Sequence, residues 1–301
     1  MTSLAPIILF VYNRPNHTHQ VISSLLANSL AKESNLYIYS DAPKNQESQL
    51  KVKEVRNYIH TIGGFESITI IERKENFGLA ESIIDGVTHV INKYGKAIIL
   101  EDDVVVSPVF LEYMNKALNH YEDKTKVWSI SAWNYPLDPN PIKEDTFFWR
   151  IPHCWGWATW ANRWQYYRRD IEWVENNFSK QDIYEISLQD TSSYWKHFLL
   201  NKQGKIKTWA IFWYLLAYKH NALTLMPRIS YIKQIGFDDS GSNCRINDPL
   251  ARNLISEHLP NSYPDIIEEN PIALKSIMDF HKKHKTPLLI KIYQKIKSIF
   301  K

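Results

Sequence analysis

Three consecutive acids, Glu101-Asp102-Asp103, follow the apolar run Ala97-Ile98-Ile99-Leu100 and precede Val104-Val105-Val106-Ser107-Pro108. Carboxylates held side by side at a strand end repel one another. A hard divalent ion such as Mn2+ or Mg2+ relieves that repulsion and offers open positions to phosphate oxygens. An ordinary acidic loop, with Ser107-Pro108 opening the next helix, is the alternative reading of the same residues. The glycines sharpen the choice. The nine of them, at 63, 64, 78, 86, 95, 156, 204, 236 and 241, include no pair at G-x-G spacing, and a P-loop ending at Gly95-Lys96 would need glycine where Val90 stands. Both glycine-rich phosphate cradles are absent, so a diphosphate bound here would be met by a divalent cation or by basic side chains.

The elements that must position these acids alternate along the first 127 residues. Ile7–Tyr12 reads as a buried strand closed by Asn13-Arg14-Pro15, and helical spacing over Gln20–Leu30 follows. A second strand, Leu36–Tyr39, ends at Ser40-Asp41; Lys51–Ile59 is helix-like, and Ser67–Ile71 is a third strand. Asn76-Phe77-Gly78 leads into a helix over Leu79–Tyr94, and Lys96–Leu100 is the fourth strand. Such alternation implies an α/β fold with a mostly parallel sheet flanked by helices, binding ligands beyond the carboxyl ends of its strands. Arg14 and Asp41 each end a strand at that edge, although turn chemistry alone would also place them there.

Composition divides the chain into three zones. All 11 tryptophans fall between Trp128 and Trp213. Residues 271–301 hold eight lysines and one acid, a local charge of +7 within a net +4. The expected organisation is therefore 1–127, 128–270 as a second half of the same domain, and a basic amphipathic tail at 271–301. Beyond Thr286-Pro287, an N-cap followed by proline, Leu288, Leu289, Ile292, Tyr293, Ile296, Ile299 and Phe300 share one face and lysines line the other. That pattern fits an anionic membrane surface, or a docked helix with a solvated lysine face. No recognition motif accompanies the basic residues, so no nucleic-acid partner is expected. The apolar runs are short of the roughly 20 residues a spanning helix needs. MTSLAPIILFVYNRP has no positive leader, and Cys154 and Cys244 are not ligand-spaced. A cytoplasmic protein, peripheral at the inner face of the cell membrane, is the expectation.

The segment IILEDDVVVSPVFLEYMNKAL resembles the DXD-like metal-binding segment of the GT-A glycosyltransferases, most closely the N-acetylglucosaminyltransferase I family. Asn13-Arg14, Asp41, Ser131-Ala132-Trp133-Asn134 on a later strand, and Gly156-Trp157 ahead of a Trp-rich helix match in the same order. NFGLAESIIDG and IGFDDSGSNC also resemble bacterial glycosyltransferases of surface polysaccharides. The resemblance implies a GT-A-like, Rossmann-like fold and a hexosyl- or N-acetylhexosaminyltransferase, with a nucleotide-sugar donor, UDP-linked by expectation, and a glycan or lipid-linked glycan acceptor. It implies that Asp103 is the direct ligand of Mn2+ or Mg2+, and that Asp102 and Glu101 face ribose and donor sugar. Arg14 would lie near base or diphosphate, and Asp41 would accept from a uracil imide; Asn76 and Gly78 are either a helix entry alone or, from their place beside the proposed nucleotide edge, a further nucleotide contact.

Tryptophan suits stacking on a pyranose face. Most of these rings are expected in the core, with Trp133, Trp155 and Trp157 as acceptor-binding candidates. Inverting transfer also needs a carboxylate to take the acceptor proton. The family's acidic pair is missing at Trp209-Ala210-Ile211-Phe212-Trp213, which leaves Asp190, Asp238 and Asp239 as candidate bases. Two other classes stay open: a non-catalytic glycan-binding protein on this fold, and a sugar nucleotidyltransferase, whose Gly-rich basic loop after the first strand is lacking.

Overall fold

β1 (Ile7–Val11) is buried at every position, with Ile7, Leu9 and Val11 in one core and Ile8 and Phe10 in the other. A strand apolar on both faces belongs in the middle of a sheet covered on both sides. The computed structural model describes residues 3–137, 141–238, 248–251 and 254–284. After β1 come α1 (Pro15–Leu26), β2 (Asn35–Ser40), α2 (Gln46–Ile59), β3 (Ser67–Glu72), α3 (Gly78–Tyr94) and β4 (Lys96–Glu101). β5 (Val104–Val106), α4 (Phe110–His120), β6 (Val127–Ser131), β7 (Thr146–Trp149), β8 (Trp157–Trp160) and α5 (Ala161–Trp164) follow. The chain continues through α6 (Ile171–Asn177), α7 (Lys180–Ile186), α8 (Tyr194–Lys202), α9 (Ala210–Lys219), β9 (Leu223–Pro227), β10 (Ile232–Gln234) and α10 (Pro271–His284).

The main sheet has eight strands in the order β3-β2-β1-β4-β8-β6-β9-β7. Its first four strands are parallel, β8 enters antiparallel between β4 and β6, β6 and β9 are parallel, and β7 closes the edge antiparallel. This is the mixed, mostly parallel α/β sheet of the sequence reading. Two helices begin about a turn earlier than periodicity places them. Proline at the first position of α1 lacks an N–H that the helix would leave unpaired anyway. At α2, Asn45 Oδ1 accepts from Ser48 N at 3.0 Å while Ser48 Oγ accepts from Asn45 N at 3.2 Å, a reciprocal cap.

The tryptophan zone contributes to both cores, Trp133, Trp149 and Trp160 to the one that holds Leu9, and Trp128, Trp157, Trp164, Trp209 and Trp213 to the one that holds Phe10. Trp128, Trp133, Trp149, Trp157, Trp160, Trp164, Trp209 and Trp213 are buried, and Trp155, Trp173 and Trp195 are partly so. Trp157 stacks on Trp209 at 5.0 Å between ring centroids, and Trp213 lies 5.2 Å from both Trp128 and Trp164. Gly156-Trp157 does stand ahead of a Trp-containing helix, α5, but a strand comes between them. Trp157–Trp160 is a strand, buried throughout, with Ala158 registered on both Ile98 and Ile130.

The segment after residue 270 begins as part of this body. α10 buries Ala273, Ile277 and Met278, and His281 Nε2 lies 3.2 Å from the Tyr135 hydroxyl. The amphipathic helix expected over 286–301 lies outside the described residues. Among the described residues, no helix is long and apolar enough to cross a membrane.

Candidate active site

β1 and β4 are parallel neighbours, with Phe10 opposite Glu101. The segments leaving them therefore meet. Arg14 Nη1 donates to Asp103 Oδ2 at 2.8 Å, and Arg14 Nη2 donates to Asp102 Oδ1. The main-chain N–H of Tyr12 donates to Asp102 Oδ2 at 3.2 Å. Both aspartates are buried, at 3% and 6% exposure. Burial alone would lower the Arg14 pKa, but Asp102 and Asp103 outweigh it and raise it further above its already high value. Burial raises the Asp102 pKa despite Arg14, and Asp103 adds to the rise. Glu101 is pushed up to about 8, by burial first and then by the charges of Asp103 and Asp102. One guanidinium thus offsets three acids incompletely.

The far side of Asp103 is fixed by β10, which pairs antiparallel with β5, Gln234 opposite Val104. Ile235 N donates to the Asp103 carbonyl at 2.8 Å, and Gln234 Nε2 donates to Asp103 Oδ1 at 3.0 Å. Gln234 Oε1 accepts from Gly236 N at 2.8 Å. Glycine is required at 236 by close approach: a Cβ there would lie 2.5 Å from Asp103 Oδ2.

These residues fit a hard divalent cation. The donors are carboxylate oxygens, and Gly236 itself adds no side chain beside Asp103 Oδ2. Among the described residues, no group of three or more His, Cys, Asp or Glu is arranged to hold a metal by itself. An ion held at Asp103 would therefore complete its shell with phosphate and water oxygens.

At the next strand end, Asp41 N donates to the Val11 carbonyl at 3.1 Å. Asp41 Oδ1 accepts from Ala42 N and Phe77 N, both at 2.9 Å, and Oδ2 accepts from Gly78 N at 2.8 Å and Asn76 Nδ2 at 3.1 Å. The carboxylate thereby caps α3, a favourable place for negative charge, and Gly78 enters that helix at φ +72°, where a side chain would be strained. Asn76 Nδ2 also donates to the Ala42 carbonyl at 2.7 Å. Asp41, Asn76 and Gly78 are thus one unit beside the acid cluster.

The other sequence-selected residues separate. Asp238 follows the Gln234–Gly236 clamp and lies 3.2 Å from His17 Nε2, on the first turn of α1. Asp190 is exposed, in a left-handed run with Leu188 and Gln189 after α7. Asp239 lies outside the described residues. Trp133 and Trp157 are each 1% exposed. Rings so enclosed cannot stack on a sugar without opening the core, a correction to the acceptor expectation for both. Trp155 stays partly exposed, edge-on to Trp133 at 4.9 Å and to Phe237 at 5.8 Å. Sequence reasoning missed Gln234, Gly236 and His17. The alternation Ile232-Lys233-Gln234-Ile235-Gly236, an inward polar residue two before a glycine, is the signal that marks the first two.

The molecule is an alternating α/β sheet that carries an acid cluster at the end of its fourth strand. The model of the GNT-I family matches residues 1–151 of the 301, and the chain belongs to that glycosyltransferase family. No curated protein sequence matches it significantly. Similar solved structures include S. aureus TarS, at 12% identity and TM-score 0.30, covering 42% of this chain and 21% of that one. The mannosyltransferase PcManGT from Pyrobaculum calidifontis, in complex with GDP-Man and Mn2+, is 11% identical with TM-score 0.38, covering 73% and 72%. UDP-glucose pyrophosphorylase complexed with UDP-glucose is 11% identical with TM-score 0.36, covering 74% and 90%. The chain spans about a fifth of the length of TarS.

Proposed function

We propose that this chain is a metal-dependent glycosyltransferase that moves a sugar, hexosyl or N-acetylhexosaminyl, from a UDP-linked donor to a glycan acceptor in bacterial surface polysaccharide synthesis. The observation that carries the reading is the convergence of Arg14, Asp102 and Asp103 at the carboxyl ends of β1 and β4, within the span that the family model matches. Asp103 would hold Mn2+ or Mg2+, with Asp102 and Glu101 facing the ribose and the donor sugar. When bound, the ion offsets the charge on the departing nucleoside diphosphate. Arg14 contacts the diphosphate, while Asp41, Asn76 and Gly78 shape the nucleotide edge through the entry to α3.

Transfer proceeds by single displacement with inversion. An acceptor hydroxyl attacks the anomeric carbon as a carboxylate takes its proton. Of the three candidates we assign that role to Asp238, because it follows the segment clamped on Asp103 and reaches His17. Trp155 with Phe237 forms the wall on which an acceptor sugar would stack. Residues 286–301 hold the enzyme peripherally on the anionic inner face of the cell membrane, within reach of a lipid-linked acceptor. Release of UDP from UDP-sugars, with Mn2+ and a lipid-linked glycan extract, tests the reading. Turnover that needs Mn2+ and disappears in Asp103→Ala and Asp238→Asn is expected; full turnover in Asp103→Ala contradicts it. Liposome binding that survives deletion of 286–301 contradicts the membrane assignment.

A further inference from the structure

Each carboxylate oxygen of the Asp102–Asp103 pair has a donor, and the donors differ in how readily they can leave. Asp102 Oδ2 takes the main-chain N–H of Tyr12, and Asp103 Oδ1 takes the amide of Gln234. Gln234 is 4% exposed and uses its other end on Gly236 N. Moving it would leave buried polar groups unsatisfied, which is costly. Arg14 is different: its long side chain is 17% exposed and spans Asp102 Oδ1 and Asp103 Oδ2 from the residue that precedes α1. Asp103 Oδ2 is also the oxygen that residue 236 approaches, and as glycine it brings no side chain against it.

A cation and a guanidinium on that oxygen repel each other, so each weakens the other's hold there. We propose that Arg14 occupies Asp103 Oδ2 as an internal counter-ion in the donor-free protein and cedes it to the divalent cation when a nucleoside diphosphate draws the guanidinium onto its phosphates. Gln234 meanwhile keeps Oδ1, so that Asp103 offers one oxygen to the ion. The exchange rests on the donor-site reading above. Its consequence is that metal and diphosphate favour each other's binding beyond their direct contact, reciprocally.

Mn2+ binding to the full chain, measured calorimetrically with and without UDP, tests the exchange in wild type, Arg14→Met and Arg14→Lys. Without UDP, Arg14→Met is expected to bind Mn2+ about tenfold more tightly than wild type. Its affinity for UDP at saturating Mn2+ falls, and so does the gain in Mn2+ affinity that UDP confers. Arg14→Lys keeps the charge but not the fork that spans two carboxylates, and gives an intermediate gain; it carries the test if Arg14→Met does not fold by circular dichroism. Equal or weaker Mn2+ binding by the folded variants, beside Mn2+-dependent UDP binding by wild type, overturns the exchange and leaves the donor site standing. Absence of Mn2+ binding by wild type even with UDP overturns the donor site and the exchange together.

Discussion

The strand-end cluster and the tryptophan layer hold their residues by opposite means. Around Asp103, position is set by discrete donors, Arg14, Gln234 and the main chain at Tyr12 and Ile235, on a carboxylate almost without exposed surface. Around Trp213, position is set by ring area against Trp128 and Trp164, and its Nε1 has no hydrogen-bond partner among the described residues. One region is directional and incompletely neutralised; the other is apolar and non-directional. Damage to the first should therefore show in ligand binding, and damage to the second in stability.

Substitutions in the two regions can break that contrast. The largest effect is expected for Trp213→Ala, which empties a site 1% exposed and should cost about 3–5 kcal/mol in denaturant unfolding; Trp213→Phe, losing no hydrogen bond, should cost much less. Gly236→Ala should weaken Mn2+-dependent UDP binding at least tenfold, about 1.4 kcal/mol, with a smaller change in unfolding, because its Cβ meets Asp103 Oδ2 at 2.5 Å. A loss of stability without a loss of binding would blur the distinction. Asp41→Ala removes the acceptor of Phe77 N and Gly78 N and should cost about 1 kcal/mol of stability. If it also weakens UDP binding beyond that of a destabilised control, Asp41 belongs to the nucleotide site as well as to the helix.

The aromatic side also carries a pH dependence, expressed only in acid. Burial pushes the His153 pKa down to about 3 and that of His281 down to about 4, with a neighbouring histidine adding to each. The unfolded chain binds these protons near pH 6.5 and the folded one does not. Stability present above pH 6.5 is thus lost as pH falls toward 4 and 3. His153→Gln should flatten that part of the unfolding profile; an unchanged profile would remove His153 from the account.

The two regions also differ in how far the sequence reveals them. β1, β2 and β4 are legible because burial on both faces leaves nearly unbroken apolar runs, β3 because its exposed edge still carries Ile68, Thr69, Ile70 and Ile71, and Arg14, Asp41 and Glu101–Asp103 are legible as the polar residues at the strand ends. The starts of α1 and α2 shift because Pro15 and the Asn45–Ser48 cap override periodicity. β8 was hidden: Trp157-Ala158-Thr159-Trp160 lacks a strand's usual run of β-branched residues, and its antiparallel place between β4 and β6 is a tertiary fact. The same burial removes Trp133 and Trp157 from any sugar-facing surface. Gln234 escaped notice because its role arises only when β10 pairs with β5, across a sequence separation of 131 residues from Asp103.

The central claim is that Asp103 couples nucleotide binding to a divalent cation. Calorimetric titration of UDP into wild type and Asp103→Asn, each with Mn2+ and again with EDTA, tests it most directly. Wild type should bind UDP only with Mn2+, and an Asp103→Asn protein that remains folded by circular dichroism should lose at least tenfold in affinity. UDP binding that is indifferent to EDTA, or unchanged by the substitution, would contradict it.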